Sequence, residues 1–359
     1  MRTVLTLLGM ALVFSMGACS GGDDNTVTEI KAAWVYIGPP GDHGWTYAHD
    51  QGRKAAEANL PKVITSYEEN VPENDAATTI QALADAGNHI IFTTSFGYGE
   101  PTHSVALANP EVKFDHCSSN LTAANMGNYF GRMYQIRYLT GMVAGAMTQS
   151  GKVGYVAAFD IPEVIYMINA FTLGVRSVNP QATVEVRWTK TWYDPTVEGA
   201  KANELLAAGC DVMSQHQDST ATVFAARDAG KYAIGYHSDM LSFAPNTVLT
   251  SAVWNWAPYY QAEIQAVRDK TWTSRSYLGG IPDGVVDLGA YGSMVPQTVK
   301  DSVAAKKAEI TSGSWDVFYG PFNHQDGTPW VAAGDKLSDE QILSMMEFVE
   351  GVIGTIPAP

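Results

Sequence analysis

The fold is decided by the stretch Ala32-Ala33-Trp34-Val35-Tyr36-Ile37-Gly38-Pro39-Pro40-Gly41-Asp42-His43-Gly44-Trp45-Thr46-Tyr47. Its first six residues are apolar and predict a buried strand, and a helical pattern follows over residues 49–60. In open α/β sheets, ligands bind in loops of this kind, at the carboxyl ends of the strands. The loop carries one carboxylate, on Asp42, and two aromatic rings, on Trp45 and Tyr47, so we expect it to hold a flat, polar small molecule.

The N-terminal residues have the pattern of a bacterial lipoprotein signal. A basic residue and an apolar stretch precede Ser15-Met16-Gly17-Ala18-Cys19, in which small residues stand before a cysteine. We therefore predict a signal peptide over residues 1–18, a lipid on the sulfur of Cys19, and a polar tether over residues 19–29. Ordinary signal cleavage beside an incidental cysteine is the alternative. No later segment reaches the roughly 18 apolar residues of a membrane-spanning helix.

Composition limits the classes of protein that this chain can belong to. About 330 residues follow the tether, which is more than one hydrophobic core usually serves, so we expect two lobes. The net charge of −15 argues against nucleic acid and anionic membrane surfaces as partners. Cys117 and Cys210 stand in different halves, without a CxxC pattern, and predict two buried free thiols rather than a disulfide or a zinc site.

Strand and helix patterns alternate along the rest of the chain, which predicts parallel sheets covered by helices on both faces. Residues 83–91 and 206–213 resemble each other, because in each a helix ends at a glycine and a strand begins shortly afterwards. Two copies of one α/β unit would form two similar lobes with a cleft between them. We assign residues 30–150 and about 253–277 to the first lobe, and residues 151–252 and about 278–359 to the second.

The carboxyl ends of the predicted strands supply the candidate ligand-binding residues. They are rich in aromatic rings and amides and poor in lysine and arginine, which phosphate or carboxylate ligands would need. This inventory suits a neutral heterocycle or a sugar, although any single ring could instead pack in the core. The candidates are Asp42, Trp45, Tyr47, Phe96, Ser118 and Asn120 in the first lobe, and Phe159, Trp192, His216, Asp218, Tyr236, Asp239 and Trp254 in the second lobe and the crossover.

A series of motifs over residues 31–321 resembles the basic membrane protein family of substrate-binding lipoproteins for ABC transporters, which includes purine nucleoside receptors. The motifs are Gly38-Pro39-Pro40-Gly41-Asp42-His43-Gly44-Trp45, Tyr134-Gln135-Ile136-Arg137-Tyr138-Leu139-Thr140-Gly141-Met142-Val143-Ala144-Gly145, Gly151-Lys152-Val153-Gly154, Trp192-Tyr193-Asp194-Pro195, Ala208-Gly209-Cys210-Asp211-Val212 and Ala233-Ile234-Gly235-Tyr236-His237-Ser238-Asp239. The resemblance implies a two-lobed type I periplasmic-binding-protein fold with a hinged cleft. It also implies a monomer without a cofactor, held outside the cytoplasm by a lipid anchor, with an ABC permease and ATPase as partners.

The resemblance further implies a purine ligand, and it places Trp45 where an aromatic ring stacks on the base. Trp192 or Phe159 would cover the opposite face. Nucleoside receptors of the family commonly hold the ribose with an aspartate and a lysine, at the positions that His237 and Trp254 occupy here. We therefore expect a purine nucleobase such as adenine, with a purine nucleoside as the main alternative. A ligand sensor that does not feed transport would use the same closure and stays open.

The alternative that this protein is an enzyme has less support. A periplasmic hydrolase could use Asp42 together with His43 or His216, but the sequence contains neither a Gly-x-Ser-x-Gly elbow nor a His-Glu-x-x-His pair. Histidines in loops more often position a ligand or the backbone. The sequence therefore predicts a binding protein with no catalytic residues, no metal and no cofactor.

Overall fold

The computed structural model describes residues 28–357, which form two α/β lobes. The first part of the chain contains β1 (Ile30–Val35), α1 (Trp45–Asn59), β2 (Val63–Glu68), α2 (Ala76–Asp85), β3 (Ile90–Thr93), α3 (Gly99–Ala108), β4 (Lys113–Cys117) and β5 (Met126–Gly131). Together with β11 (Ser276–Gly279), which comes much later in the chain, these strands form a parallel sheet in the order β11-β5-β4-β3-β1-β2. Strands β1 and β3 are almost entirely buried, as expected for a parallel sheet with helices on both faces.

The second lobe contains a larger sheet, in the order β12-β10-β9-β8-β6-β7-β15, in which only the β10–β12 pair is antiparallel. Its first elements are α4 (Met133–Met147), β6 (Lys152–Ala157), α5 (Pro162–Val178), β7 (Thr183–Trp188), α6 (Pro195–Ala207), β8 (Val212–Gln215), α7 (Ala221–Asp228), β9 (Tyr232–His237) and β10 (Val248–Trp254). Helix α8 (Ala257–Arg268) and strand β11 (Ser276–Gly279) then return to the first lobe. The predicted α/β fold with parallel sheets in two lobes is confirmed.

The chain crosses between the lobes three times, after β5, after β10 and after β11. Helix α4, which the sequence placed in the first lobe, packs against α5 and β10 of the second lobe. The first crossing therefore lies near Arg132 rather than near residue 150. A side chain at Gly141 or Gly174 would overlap with the backbone of the facing helix, so these two glycines allow α4 and α5 to approach closely. The other lobe boundaries stay predictions.

The C-terminal part completes the second lobe. It contains β12 (Val286–Leu288), α9 (Gln297–Thr311), a hairpin of β13 (Phe322–Asn323) and β14 (Pro329–Val331), α10 (Asp339–Leu343) and β15 (Val352–Ile353). Strand β15 pairs with β7 at the edge of the sheet. Arg132, at the first crossing, is held by a bidentate ion pair of 2.6 and 2.7 Å with the Asp339 carboxylate. This ion pair attaches the C-terminal segment to the chain at the point where it first crosses between the lobes.

The predictions for the cysteines and for the N-terminal signal have different outcomes. Cys117 and Cys210 are both buried and free, which confirms the predicted thiols. The signal peptide, the lipid on Cys19 and most of the tether lie outside the described residues. Within residues 28–357, none of the helices combines the length and the apolar character that crossing a bilayer requires.

Candidate ligand-binding cleft

A cavity of about 360 Å³ lies between the two lobes, at the carboxyl ends of both sheets. The first lobe contributes Ile37, Trp45, Thr94, Ser95, Phe96 and Ser118, and the second contributes Glu163, Trp192, His216, Asp218 and His237. This volume includes space that is open to solvent, so the part enclosed by protein is smaller. The cavity has the position of a ligand site in a two-lobed α/β protein.

Trp45 lines the cavity from the first turn of α1, rather than from the preceding loop. Its indole Nε1 donates to the carbonyl oxygen of Thr94 at 2.5 Å, which fixes the ring orientation. The edges of His49 and Trp254 contact the ring system, with centroids at 4.3 and 5.8 Å. Trp45 is 8% exposed, so the surrounding side chains enclose most of its ring in this form of the protein.

Asp42 explains why this helix begins earlier than the predicted residue 49. Its carboxylate accepts hydrogen bonds from the backbone N–H groups of Gly44, Thr46 and Tyr47, at 2.8 to 3.0 Å. These bonds satisfy donors that the first turn of a helix otherwise leaves free. Burial and the nearby Asp218 raise the pKa of Asp42 to about 7. Asp42 is therefore the cap of the helix and does not line the cavity.

Trp192 faces the cavity from the second lobe. The ring of Phe159 packs against it, with centroids 4.8 Å apart, and lies outside the cavity lining. The carbonyl oxygen of Trp192 accepts from the backbone N–H of Asp218 at 3.2 Å. Trp45 and Trp192 thus present aromatic surfaces from opposite lobes, with Phe159 as a support.

Four titratable side chains form the polar part of the second-lobe wall. His237 Nε2 lies 3.0 Å from Asp218 Oδ1, and His216 Nε2 lies 3.6 Å from Glu163 Oε1. Burial lowers the pKa of both histidines well below the ordinary range. Burial raises the pKa of Asp218, and it raises the pKa of Glu163 to about 8. Burial thus disfavours the charged form of all four groups.

Several of these polar atoms have no hydrogen-bond partner among the described residues. Nδ1 of His216 is unpartnered, whereas the His237 ring lies 3.0 Å from Asp218 Oδ1 and close to the His216 backbone without forming a well-directed hydrogen bond. Buried polar atoms are normally satisfied. Since they belong to residues that line the cavity, a ligand can supply the missing partners. The cavity lining contains no lysine or arginine.

Three of the seven described non-glycine residues with positive φ lie at or beside the cleft. His43, Ser118 and His237 have φ angles of 60°, 74° and 68°, in the left-handed region that non-glycine residues seldom adopt. Such conformations cost energy and persist where the surrounding structure enforces them, commonly at ligand sites. Ser118 directly follows β4 and His237 ends β9. In each lobe, therefore, a residue in a left-handed conformation at the end of a strand lines the cleft.

The lobes touch directly beside the cavity. The hydroxyl of Ser238 donates to the carbonyl oxygen of His43, and the His43 and Phe243 rings lie 4.8 Å apart. A Cβ atom on Gly44 would overlap with the backbone of Asp218, so only glycine allows this approach. The structure is therefore a closed form.

The structure brings six of the thirteen candidates to the cavity: Trp45, Phe96, Ser118, Trp192, His216 and Asp218. Of the others, Asn120 is exposed, Tyr47 stands beside the His43 ring, and Asp239 caps the backbone N–H groups of Leu241 and Ala290. Tyr236 lies behind His237, with ring centroids 3.6 Å apart. Trp254 stacks on Trp256 at 4.7 Å, behind Trp45.

Five residues of the lining are not among the thirteen candidates: Ile37, Thr94, Ser95, Glu163 and His237. Ser95 and His237 belong to the strand ends that the sequence assigned to the cleft, whereas Ile37 and Thr94 would have been found by counting every residue that directly follows β1 and β3. Glu163 follows Pro162 in the first turn of α5, where an acidic residue usually only complements the helix dipole. His237 was identified as a replacement for a family aspartate but not as a contact.

The closed cleft between two parallel-sheet lobes is the architecture of a solute-binding protein. The family described as ABC transporter substrate-binding protein PnrA-like matches residues 29–315, and the chain belongs to this family. It is therefore a substrate-binding protein rather than an enzyme, with a small-molecule ligand and ABC transporter subunits as its partners.

Two curated relatives match over nearly the whole chain. A purine-binding protein of Brucella abortus is 43% identical over 350 residues, which cover 97% of this chain and 100% of the relative. A Haloferax volcanii protein named as a glucose-binding protein of an ABC transporter is 40% identical over 339 residues, covering 94% of this chain and 84% of the relative. The two names indicate different ligands within one family.

Solved structures agree on the fold. An ABC transporter solute-binding protein from Aeropyrum pernix superimposes with a TM-score of 0.72 at 18% identity, covering 81% of this chain and 94% of that chain. One from Conexibacter woesei gives a TM-score of 0.66 at 22% identity, covering 80% and 97%. At these identities the likeness concerns the architecture alone.

Proposed function

We propose that this protein captures a purine nucleobase, with adenine as the first candidate, and presents it to an ABC importer. The observation that carries the proposal is the cavity itself, which Trp45 and Trp192 line from opposite lobes together with a polar wall that contains no cation. Stacking of a base on an aromatic ring contributes about 1–3 kcal/mol per face. Two faces and a few hydrogen bonds would reach the roughly −8 kcal/mol of a micromolar complex.

The polar wall supports a heterocycle that offers both donors and acceptors. A neutral imidazole has one donor and one acceptor nitrogen, and a protonated carboxyl group also has both. Asp218, Glu163, His216 and His237 can therefore pair with ring nitrogens and an exocyclic amine. A phosphorylated ligand would find no cation in the lining to balance its charge.

A bare base suits the cavity better than a nucleoside. The volume of about 360 Å³ includes space open to solvent, so the enclosed part is smaller still. Trp254 and Trp256 stack behind Trp45 and fill the region beside it. The printed name of the Brucella abortus relative, a purine-binding protein, supports the ligand class.

A thermal-shift screen followed by calorimetry tests the proposal. The ligands are adenine, guanine, hypoxanthine, adenosine, guanosine and glucose, the last because of the Haloferax volcanii relative. We expect the free bases to stabilise the protein most, with adenine first. A larger shift with adenosine than with any base would replace the nucleobase by a nucleoside, and a response to glucose alone would refute the purine assignment.

The anchor and the transport role are further parts of the proposal. We propose that Cys19 is lipidated, that the protein is monomeric, and that its closed form engages the permease. Labelling cells with an alkyne fatty acid should mark the wild-type protein but not a Cys19→Ser variant. Deleting the gene should reduce uptake of radiolabelled adenine, whereas unchanged uptake would favour a ligand sensor that does not feed transport.

A further inference from the structure

Arg137 lies directly behind the second-lobe wall of the cleft. It belongs to α4, and its side chain is completely buried. Its Nη2 donates to the carbonyl oxygen of Gln215 at 2.8 Å. The guanidinium carbon stands 3.6 Å from the centroid of the Tyr236 ring and 5.5 Å from that of Tyr155. The cation is thus in contact with two aromatic rings and one carbonyl.

This buried cation has no carboxylate partner within ion-pair distance among residues 28–357. Its Nε and Nη1 also lack hydrogen-bond partners in the described part of the chain. Buried charges are costly and are usually paired, so an unpaired one that persists calls for a functional reason. The attraction between the guanidinium and the face of Tyr236 offsets only part of this cost.

The contacts of Arg137 lead directly to the two histidines of the cleft. The Tyr236 ring packs against His237 at 3.6 Å and against His216 at 5.2 Å between centroids. Gln215, whose carbonyl accepts from Arg137, immediately precedes His216 in the chain. A single guanidinium group therefore contacts both β8 and β9, the strands that carry the imidazoles.

We propose that Arg137 is a positioning residue of the cleft, which acts through the Tyr236 ring and the Gln215 carbonyl to keep His216 and His237 uncharged and turned toward the ligand. The role in ligand binding rests on the proposed function of the cleft. The effect on the histidines themselves does not, because it exists in the protein without ligand.

The charges around the imidazoles agree with this role. The positive charge of Arg137 adds to burial in lowering the pKa of His216 and of His237. From α5, Glu163 faces His216, and Asp218 faces His237 from the loop after β8. From α1, His49 lies near His237, and the two imidazoles disfavour each other's charged forms. Because burial raises the pKa of both carboxyl groups, their compensating negative charge is reduced.

The direct test is a titration of the histidine rings by NMR in the ligand-free protein. We compare wild type with Arg137→Met and Arg137→Gln, which remove the charge, and with Arg137→Lys, which keeps it. Arg176→Met, on the neighbouring helix α5, is the control for losing a partly buried arginine. Removing the charge should raise the titration midpoints of His216 and His237 by about one to two pH units, as expected for a unit charge one side chain away.

The lysine and control variants should titrate like wild type. Midpoints in Arg137→Met and Arg137→Gln that equal those of wild type would overturn the proposal. The glutamine variant can still donate to Gln215, so it provides the measurement if the methionine variant does not fold.

The second test measures adenine affinity by calorimetry between about pH 5 and 8, the range in which histidines change charge. The affinity of the wild type should vary little with pH. The affinity of Arg137→Met should fall about ten-fold as the pH falls, because a change of one pKa unit changes the ratio of protonated to neutral histidine ten-fold. A merely structural role would lower affinity equally at every pH and would overturn the proposal. Failure of the wild type to bind adenine would refute the proposed ligand, while the ring titration would still decide the role of Arg137.

Discussion

The two walls of the cleft differ in how their polar groups are used. On the first-lobe wall most are already satisfied inside that lobe, since Trp45 donates to Thr94, the Thr94 hydroxyl to Val35, and the Ser95 hydroxyl to Glu73. Ser118 is the exception, because it hydrogen-bonds with Glu163 across the cleft. On the second-lobe wall, His216 and His237 have ring nitrogens without partners in the described chain. The first-lobe wall therefore offers a fixed stacking surface, and the second-lobe wall offers hydrogen-bonding groups that a ligand can use.

The largest expected effect comes from preventing the two walls from meeting. Gly44→Ala would place a Cβ atom in the backbone of Asp218, so the closed form should become rare. If the closed population falls below about 1%, the apparent affinity falls by about two orders of magnitude. Calorimetry with adenine and small-angle scattering check this prediction. Gly41→Ala is the matched control, because nothing lies within 4 Å of its Cβ position; equal affinities in both variants would contradict it.

The next effect tests the stacking wall alone. Trp45→Ala should cost roughly 1–3 kcal/mol of adenine affinity, because it removes one stacked face. Trp45→Phe should retain part of that energy. Trp188→Ala, which changes a tryptophan at the edge of the second sheet, serves as the control for general loss of an indole. Unchanged calorimetric affinity in Trp45→Ala would show that the base stacks elsewhere.

A third prediction tests whether Asp42 on the first wall stabilises helix α1 or contacts the ligand. Asp42→Ala removes three capping hydrogen bonds, so the free energy of unfolding should fall by about 1–2 kcal/mol. Adenine affinity under conditions where the protein is folded should change far less. Chemical denaturation and calorimetry measure the two quantities. A loss of affinity without a loss of stability would instead make Asp42 a ligand contact.

The smallest expected effect on ligand affinity comes from the protons of the second wall, which instead influence the stability of the ligand-free protein. Burial raises the pKa of Glu163 from 4.5 to about 8, so the folded state keeps a proton that the unfolded state releases. Its contribution to stability is therefore present below pH 4.5 and is lost as the pH rises toward 8. Asp42 and Glu198, with pKa values of about 7, act in the same direction.

Glu163→Gln should reduce the pH dependence of unfolding over this window by up to several kcal/mol, without abolishing it, because each unit of pKa shift corresponds to about 1.4 kcal/mol. Urea denaturation of the ligand-free protein at several pH values gives this slope. A variant whose slope equals that of wild type would show that Glu163 titrates normally.

The architecture followed from the sequence because its signals are local and repeated. Apolar runs, glycines at helix ends and loops at strand ends specify a parallel α/β unit twice, and the structure contains both. The position of α4 did not follow, because its apolar residues fit either lobe and only the packing of Gly141 against α5 decides between them.

The cleft was less predictable, because a side chain near a strand end can point in several directions. The sequence could not distinguish Trp192, which faces the cavity, from Phe159, which supports it from behind. Asp42 resembles a ligand contact in sequence, yet its oxygens are taken by three backbone N–H groups. Glu163 resembles an ordinary first-turn acid, and only the folded chain brings it within 3.6 Å of His216.

The stacked pair of Trp254 and Trp256 has an optical consequence. Their rings are 4.7 Å apart and inclined by 14°, and they lie where the chain crosses between the lobes after β10. Indoles this close share their excited states, and Trp45 meets both of them edge-on. We expect a strong near-ultraviolet circular dichroism signal that changes as the cleft opens. The protein would thus report its own closure spectroscopically, without an attached dye.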